Sequence, residues 1–191
     1  NGHDSIVVEG GAGSGGHSAR LATEGFNVKS VESSPTAARL ITQLRDTSGI
    51  QKSRLEVFNS DIGKYLTAPN QAPIDAFYAN SVFHFFPPKL RLELYAQLHQ
   101  RLRDEGIIAV SFKAEGDSLE MRGGAIKKTP YGVVRLGDDG ITRLFVYKPE
   151  VLAKELNGAG FAQPEIIPFE IMGYNYKGEP GKLVGYIAKK A

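Results

Sequence analysis

The feature that most constrains the fold is a glycine-rich run that directly follows a short apolar stretch near the start of the chain. Residues 5–8 are β-branched and apolar and predict a strand, residues 9–16 contain five glycines, and residues 19–22 begin a helix. A strand that ends in glycines and opens a helix presents free backbone N–H groups to a ligand. Glycine also permits positive φ and lets a ligand approach the backbone. The sequence therefore predicts a nucleotide-type cofactor site at this turn.

Two classes of cofactor fit the spacing of the glycines. Gly11, Gly13 and Gly16 match the dinucleotide pattern G-x-G-x-x-G, and Glu32 follows about 20 residues later, where a ribose-binding acid belongs. Glu9 separates the two classes, because a carboxylate beside the loop suits a cofactor that carries sulfonium and ammonium groups. The same carboxylate would repel the pyrophosphate of NAD. A solvated strand-end acid next to an ordinary turn is the remaining interpretation of Glu9.

Composition and charge exclude several classes of function. The 191 residues are enough for one domain with a substantial core. The formal net charge of +2, from 23 basic and 21 acidic residues, gives no electrostatic footprint for nucleic acid. The absence of cysteine excludes disulfides, thiolate zinc sites and a cysteine nucleophile. His3, His17 and His99 show no metal-ligand spacing, so no metal site is expected.

Membrane and targeting signals are also missing from the sequence. No apolar stretch approaches the roughly 20 residues of a membrane-spanning helix, and no signal peptide is visible. We therefore expect a cytoplasmic protein that does not act on the membrane. The chain begins with Asn1 and not with Met, which leaves open what precedes it.

Predicted strands and helices alternate along the chain. The first five strands are predicted at residues 5–8, 27–31, 54–58, 74–78 and 107–112. Ser33 or Ser34 can cap the second helix, which has Pro35 at its first position. Residues 165–171 and 183–188 predict two closing strands that pair antiparallel. The pattern indicates an α/β fold with a doubly wound, mostly parallel sheet of seven strands, helices on both faces and a terminal antiparallel hairpin.

The motifs together resemble those of the class I S-adenosylmethionine-dependent methyltransferases. The run Glu9-x-Gly11-x-Gly13-x-Gly15 is similar to the first motif of that family, and a reversed final strand is typical of it. A nicotinamide dehydrogenase would continue with a sixth parallel strand instead. The resemblance covers essentially the whole chain and implies one domain, residues 1–191, that transfers a methyl group from S-adenosylmethionine to a small-molecule acceptor.

The resemblance also assigns the residues at the predicted strand ends to parts of the cofactor. Glu9 and the glycines would hold the methionine moiety, and Glu32 would accept hydrogen bonds from the two ribose hydroxyls. Asp61 would receive the adenine amino group, although it is explained nearly as well as the N-cap of the next helix. The predicted cofactor-binding residues are Glu9, Gly11, Gly13, Gly15, Glu32, Ser33, Asp61, Ile62, Asn80 and Ser81.

The acceptor side is predicted from the segments that follow the fourth and fifth strands. Residues 80–86 resemble the Asn-x-Val-Leu-His-type segment of small-molecule methyltransferases and lack the Asp/Asn-Pro-Pro-aromatic signature of enzymes that methylate nucleobases. His84 is the candidate general base, or else a packed histidine that shapes the pocket wall. Residues 114–142 predict a lid or substrate insertion. The candidate substrate residues are Phe83, Lys113, Arg143 and Tyr174, of which Lys113 is equally well explained as a solvated strand-end charge.

Two further function classes stay open at this point. A nicotinamide oxidoreductase has the same type of sheet, but Glu9 and the terminal hairpin disfavour it. A non-catalytic partner domain is also compatible with the sequence, because the glycine run and Glu32 report cofactor binding rather than turnover.

Overall fold

The computed structural model describes residues 4–69, 72–120, 122–171 and 181–191. The helices are α1 (Gly16–Thr23), α2 (Pro35–Thr47), α3 (Ile62–Thr67), α4 (Pro88–Arg101) and α5 (Pro149–Gly158). The strands are β1 (Ile6–Gly10), β2 (Asn27–Glu32), β3 (Leu55–Asn59), β4 (Ile74–Ala79), β5 (Leu102–Ala114), β6 (Gly123–Thr129), β7 (Gly132–Gly137), β8 (Thr142–Val146), β9 (Glu165–Ile171) and β10 (Gly181–Lys189). A short 3-10 turn, Phe83–Phe85, lies between β4 and α4.

The main sheet has the strand order β3-β2-β1-β4-β5-β10-β9. Strands β1 to β5 are parallel, whereas β10 runs antiparallel to both β5 and β9. This arrangement confirms the predicted doubly wound sheet with its reversed last strand. The strand order changes direction between β1 and β4, and ligands of such sheets bind at the carboxyl ends of the strands next to this point.

The predicted insertion after β5 differs from a loop, because it folds as a meander of three strands that extends the sheet. β6, β7 and β8 pair antiparallel in sequence, and β8 pairs parallel with Lys113 and Ala114 at the end of β5. At Lys113 the other edge of β5 is already paired with Leu183 of β10. β8 must therefore use the edge that β4 leaves free where it ends at Ala79. The meander consequently lies beyond the carboxyl end of β4.

Two apolar clusters show that helices cover both faces of the sheet. Ile41 of α2 packs with Ala22 of α1 and Leu55 of β3 in one cluster. The larger cluster includes Leu98 of α4 and Leu156 of α5. Burial of these helix faces supplies the main driving force for folding. None of the described helices is long and apolar enough to cross a membrane.

Candidate active site

The loop between β1 and α1 needs its glycines for conformation and for space. Gly11, Gly13 and Gly15 have φ values of +68°, +57° and +82°, in the left-handed region that favours glycine. A Cβ atom at Gly11 would lie 2.6 Å from Val82 Cγ2, and one at Gly15 would lie 2.9 Å from Ile41 Cγ1. The loop therefore carries bare backbone to the carboxyl end of β1.

Glu32, at the end of β2, fastens this loop. Its Oε2 accepts a hydrogen bond of 2.8 Å from the Gly13 amide, and its Oε1 accepts one of 2.8 Å from the Ser34 amide. The side chain is only 8% exposed. Each carboxylate oxygen has two acceptor sites, so each keeps one for a ligand hydroxyl. Ser34, and not Ser33, is the N-cap of α2.

The buried side chain of Glu9, on β1, contacts α1 rather than lining an open site. The Ser18 hydroxyl of α1 donates a hydrogen bond to Glu9 Oε2, and Ser18 Oγ lies 2.9 Å from Ser30 Oγ of β2. His17 Nδ1 lies 3.6 Å from Glu9 Oε1. Burial raises the pKa of Glu9, and the Ser18 hydrogen bond opposes that rise. The contacts observed for Glu9 hold α1 against the sheet.

A cavity of about 320 Å³, here named the strand-end cavity, opens at the carboxyl ends of β1, β2 and β4. The wall brings together most of the predicted cofactor-binding residues. Those that line it are Gly11, Glu32, Ser33, Asp61, Ile62, Asn80 and Ser81. Glu9, Gly13 and Gly15 do not line it.

Asp61 can fill both of the roles that the sequence left open. It is the N-cap of α3, and its Oδ1 accepts hydrogen bonds of 2.8 Å from the Gly63 amide and 3.2 Å from the Lys64 amide. The residue also lines the strand-end cavity, where Oδ2 can still accept a hydrogen bond. Capping and ligand binding are therefore compatible at this position.

Ser111 of β5 is a site residue that sequence reasoning missed. Its hydroxyl donates a hydrogen bond of 2.6 Å to Asn80 Oδ1 and accepts one of 2.9 Å from the Ser81 amide. Ser81 has a φ of +56°, a costly conformation for a residue with a side chain. Ser81 Oγ is buried and has no hydrogen-bond partner among the described residues. A polar ligand atom in the cavity would supply the missing hydrogen bond of the Ser81 hydroxyl.

A second cavity, of about 380 Å³, adjoins the first, and we name it the meander cavity. Phe85 and Phe86 line both cavities. Further wall residues come from the turn after β4, from α4 and from the meander, including His84, Arg91, Tyr131 and Leu144. Residues after β4 and residues after β5 thus line one cavity, as expected of the two segments predicted to form the acceptor side.

His84 lines the meander cavity with no hydrogen-bond partner on either ring nitrogen among the described residues. The residue is only 3% exposed. Burial lowers the pKa of His84 well below 6.5, and the positive charges of Lys113 and Arg143 lower it further. The imidazole is therefore neutral at neutral pH and free to accept or donate a hydrogen bond.

Lys113 and Arg143 carry their charges close to this cavity without lining it. Lys113 is 1% exposed, and its Nζ lies 3.1 Å from Asp117 Oδ2, so a solvated strand-end charge is the wrong interpretation. Burial lowers the pKa of Lys113, and Asp117 opposes that shift. Arg143 bonds both carboxylate oxygens of Asp139, at 2.9 and 2.6 Å, and its Cζ lies 5.6 Å from the centre of the Phe85 ring.

Of the two remaining predicted substrate residues, Phe83 is not found in the cavity walls. Phe83 is fully buried in the core and stacks on Tyr95 at 5.3 Å between ring centroids, because the 3-10 turn directs it toward α4. Tyr174 lies outside the described residues. Within the described ranges, no group of three His, Asp or Glu side chains is placed to hold a metal ion.

A larger groove lies on the surface of α2 and β3. It has a volume of about 710 Å³ and runs along α2 and β3, where its lining includes Arg39, Leu40 and Gln43. None of the predicted site residues lines it. The glycine loop, Glu32 and the turn that carries His84 lie instead at the strand ends.

Comparisons with known proteins agree with this geometry. A family model described as a methyltransferase domain matches residues 7–106. No curated protein sequence matches the chain significantly. Among solved structures, an S-adenosylmethionine-dependent methyltransferase from Methanosarcina mazei has a TM-score of 0.77 at 16% identity, over 98% of this chain and 93% of that chain.

Two similar structures contain ligands. The 1,6-didemethyltoxoflavin-N1-methyltransferase of Burkholderia thailandensis, with bound 1,6-didemethyltoxoflavin and S-adenosylhomocysteine, has a TM-score of 0.70 at 20% identity, over 100% of this chain and 72% of that one. The magnesium protoporphyrin IX methyltransferase of Synechocystis PCC 6803, with bound SAH, has a TM-score of 0.71 at 15% identity, over 100% and 76%. The family match spans just over half of the chain, and the three solved structures are similar in fold over nearly all of it. The chain therefore belongs to the class I S-adenosylmethionine-dependent methyltransferase family.

Proposed function

We propose that this methyltransferase acts on a small molecule, with S-adenosylmethionine in the strand-end cavity and the acceptor in the meander cavity. The observation that carries the proposal is that the two cavities adjoin and share Phe85 and Phe86. Methyl transfer requires a donor and an acceptor held end to end in a site that excludes water. Two adjoining cavities that share apolar lining residues meet this requirement.

The residues of the strand-end cavity suit the cofactor. Glu32 keeps acceptor sites for the two ribose hydroxyls, and Asp61 keeps one for the adenine amino group. The buried, unpartnered Ser81 hydroxyl is the observation that most favours a polar ligand there. When bound, S-adenosylmethionine would supply a methyl group on a positively charged sulfur and leave as neutral S-adenosylhomocysteine.

The chain itself supplies orientation and a proton acceptor. Phe85 and Phe86 line the junction of the two cavities with apolar rings, which limits the access of water to the reacting atoms. His84 offers a neutral imidazole nitrogen, which is the form that accepts a proton from an acceptor atom. The positive charges of Lys113 and Arg143 would keep this imidazole in its neutral form.

The small size of the meander cavity supports a small-molecule acceptor. Its volume of about 380 Å³ is at the lower end of the range for small-ligand sites. The two ligand-bound structures above are named for small-molecule substrates, and the net charge of +2 gives no reason to expect a nucleic acid. We also propose that the reaction is cytoplasmic, which the cysteine-free sequence supports.

Calorimetry with four ligands tests the proposal. We expect S-adenosylmethionine and S-adenosylhomocysteine to bind, and NAD and NADP not to bind, because the Glu9 carboxylate beside the glycine loop would repel a pyrophosphate. Tight binding of NAD without binding of S-adenosylhomocysteine would refute the assignment of the cavity.

Replacing Ser111 with alanine is expected to weaken S-adenosylhomocysteine binding about three- to tenfold, as one hydrogen-bonding side chain is lost. When the Ser111 hydroxyl is removed, the Asn80–Ser81 turn loses the two hydrogen bonds that fix its orientation. Ser53→Ala, at an exposed serine in the turn before β3, is the matched control. Unchanged affinity in Ser111→Ala, measured by calorimetry, would remove Ser111 from the account.

A further inference from the structure

Within the proposed function, we infer that the methyl acceptor is an aromatic compound with an N–H or O–H group. Its ring would pack on Phe85, and its N–H or O–H would point to a ring nitrogen of His84. The inference rests on the proposed placement of the acceptor in the meander cavity. It concerns which acceptors fit, and not whether the cofactor binds.

The first observation is the state of His84. Buried polar groups in proteins nearly always have hydrogen-bond partners. His84 is 3% exposed, lines the cavity, and has no hydrogen-bond partner on either ring nitrogen among the described residues. A ligand donor in the cavity would supply the missing partner.

The second observation is the exposed ring of Phe85. Phe85 is 43% exposed, while its neighbour Phe83 is fully buried. The Phe85 ring is held by the His84 ring, 4.0 Å away between centroids, and by the Arg143 guanidinium, 5.6 Å from its centre. A fixed and exposed aromatic ring between two cavities favours a ligand that offers a ring of its own.

The third observation is that the other buried polar groups of the cavity are already paired. Arg91 donates to both oxygens of Glu155, at 2.9 and 2.7 Å, and to the Tyr131 hydroxyl at 2.6 Å. The Thr129 hydroxyl donates to the Gly132 carbonyl at 2.9 Å. Lys127 is exposed and lies at the rim. Across the described part of the cavity, His84 is thus the buried polar group left for a ligand.

Methyl transfer from S-adenosylmethionine to this acceptor would need no other reactant. The proton of the acceptor N–H or O–H passes to His84, and the electron pair of that bond stays on the nitrogen or oxygen. That pair would form the new bond to the methyl carbon of S-adenosylmethionine, whose carbon–sulfur bond would break with its electrons left on sulfur. The imidazolium then releases its proton to water. Lys113 and Arg143 favour the negative charge that develops on the acceptor atom.

Binding of three related probes, measured by calorimetry with S-adenosylhomocysteine saturating, tests the inference. The probes are 2-naphthol, 2-methoxynaphthalene and decahydro-2-naphthol, which are all uncharged at neutral pH; the second lacks the O–H donor and the third lacks the aromatic rings. We expect 2-naphthol to bind roughly three- to tenfold more tightly than 2-methoxynaphthalene, as one hydrogen bond predicts. His84→Leu should abolish this difference, and Phe85→Leu should abolish the preference for the aromatic over the saturated probe. Leu40→Ala, at an exposed apolar residue of α2, is the control, and a thermal melt of each variant checks folding.

The possible results separate the two levels of the account. If S-adenosylhomocysteine itself does not bind, the proposed function fails and the inference fails with it. If it binds but no probe does, or if the preference for 2-naphthol over 2-methoxynaphthalene survives in His84→Leu, the acceptor class alone is overturned. Loss of the preference in His84→Leu, with S-adenosylhomocysteine affinity unchanged, is the result that supports the inference.

Discussion

Replacing His84 with glutamine is expected to lower kcat on the true acceptor by about 10²- to 10⁴-fold, the range for loss of a general base. The affinity for S-adenosylhomocysteine should stay within about twofold, the pattern of a residue that acts on the acceptor side. The reason is that His84 lines the meander cavity and not the strand-end cavity. Steady-state kinetics and calorimetry on the same preparation provide both numbers.

The pH dependence of kcat follows from the lowered pKa of His84. A base is active in its unprotonated form, so activity should fall only when the pH drops well below 6.5 and stay flat above that value. The same shift means that the unfolded chain binds this proton more readily, so stability is lost as the pH falls below 6.5.

His99→Gln is the histidine control for His84→Gln, because His99 bonds the Gly160 carbonyl away from both cavities. Cofactor binding abolished by His84→Gln, or an unchanged kcat, would contradict the proposed role.

Replacing Glu32 with alanine is expected to weaken S-adenosylhomocysteine binding by ~2–4 kcal/mol, which is roughly 30- to 1,000-fold. Two charge-assisted hydrogen bonds to the ribose would be lost. The amides of Gly13 and Ser34 would lose their acceptors at the same time, so the glycine loop would no longer be fixed. Calorimetry measures the change.

Two variants serve as references for Glu32→Ala. Glu24→Ala removes an exposed carboxylate that pairs with Arg20, and it should leave the affinity unchanged. Asp61→Ala should weaken binding less than Glu32→Ala, because an adenine amino group makes one such hydrogen bond. Its larger effect should be on stability, since the N-cap of α3 is lost. If Glu32→Ala binds like the parent chain, the ribose assignment is wrong.

The parts of the fold that the sequence predicts depend on local patterns. The glycines of residues 11–15, the acid at the end of β2 and the Pro at the start of α2 each act through the backbone next to them. The reversed last strand was also predictable, because too few residues join β9 and β10 for a parallel crossover. The structure confirms this sheet, and the strand-end cavity gathers seven of the predicted cofactor-binding residues.

The parts that the sequence does not predict depend on contacts between distant residues. The meander forms because β8 finds a free edge of β5, and its glycine-rich strands show no clear alternation of apolar residues. Ser111 is one polar residue in an apolar strand until the fold sets it beside Asn80. The burial of Glu9 against Ser18 arises only when α1 packs on the sheet.

The central claim is that cofactor and acceptor occupy the two adjoining cavities, and a crystal structure with S-adenosylhomocysteine tests it most directly. We expect both ribose hydroxyls to bind Glu32, the adenine to lie beside Asp61 and Ile62, and the sulfur to point toward the cavity that His84 lines. A ligand bound in the groove along α2, or a sulfur directed away from His84, would contradict it.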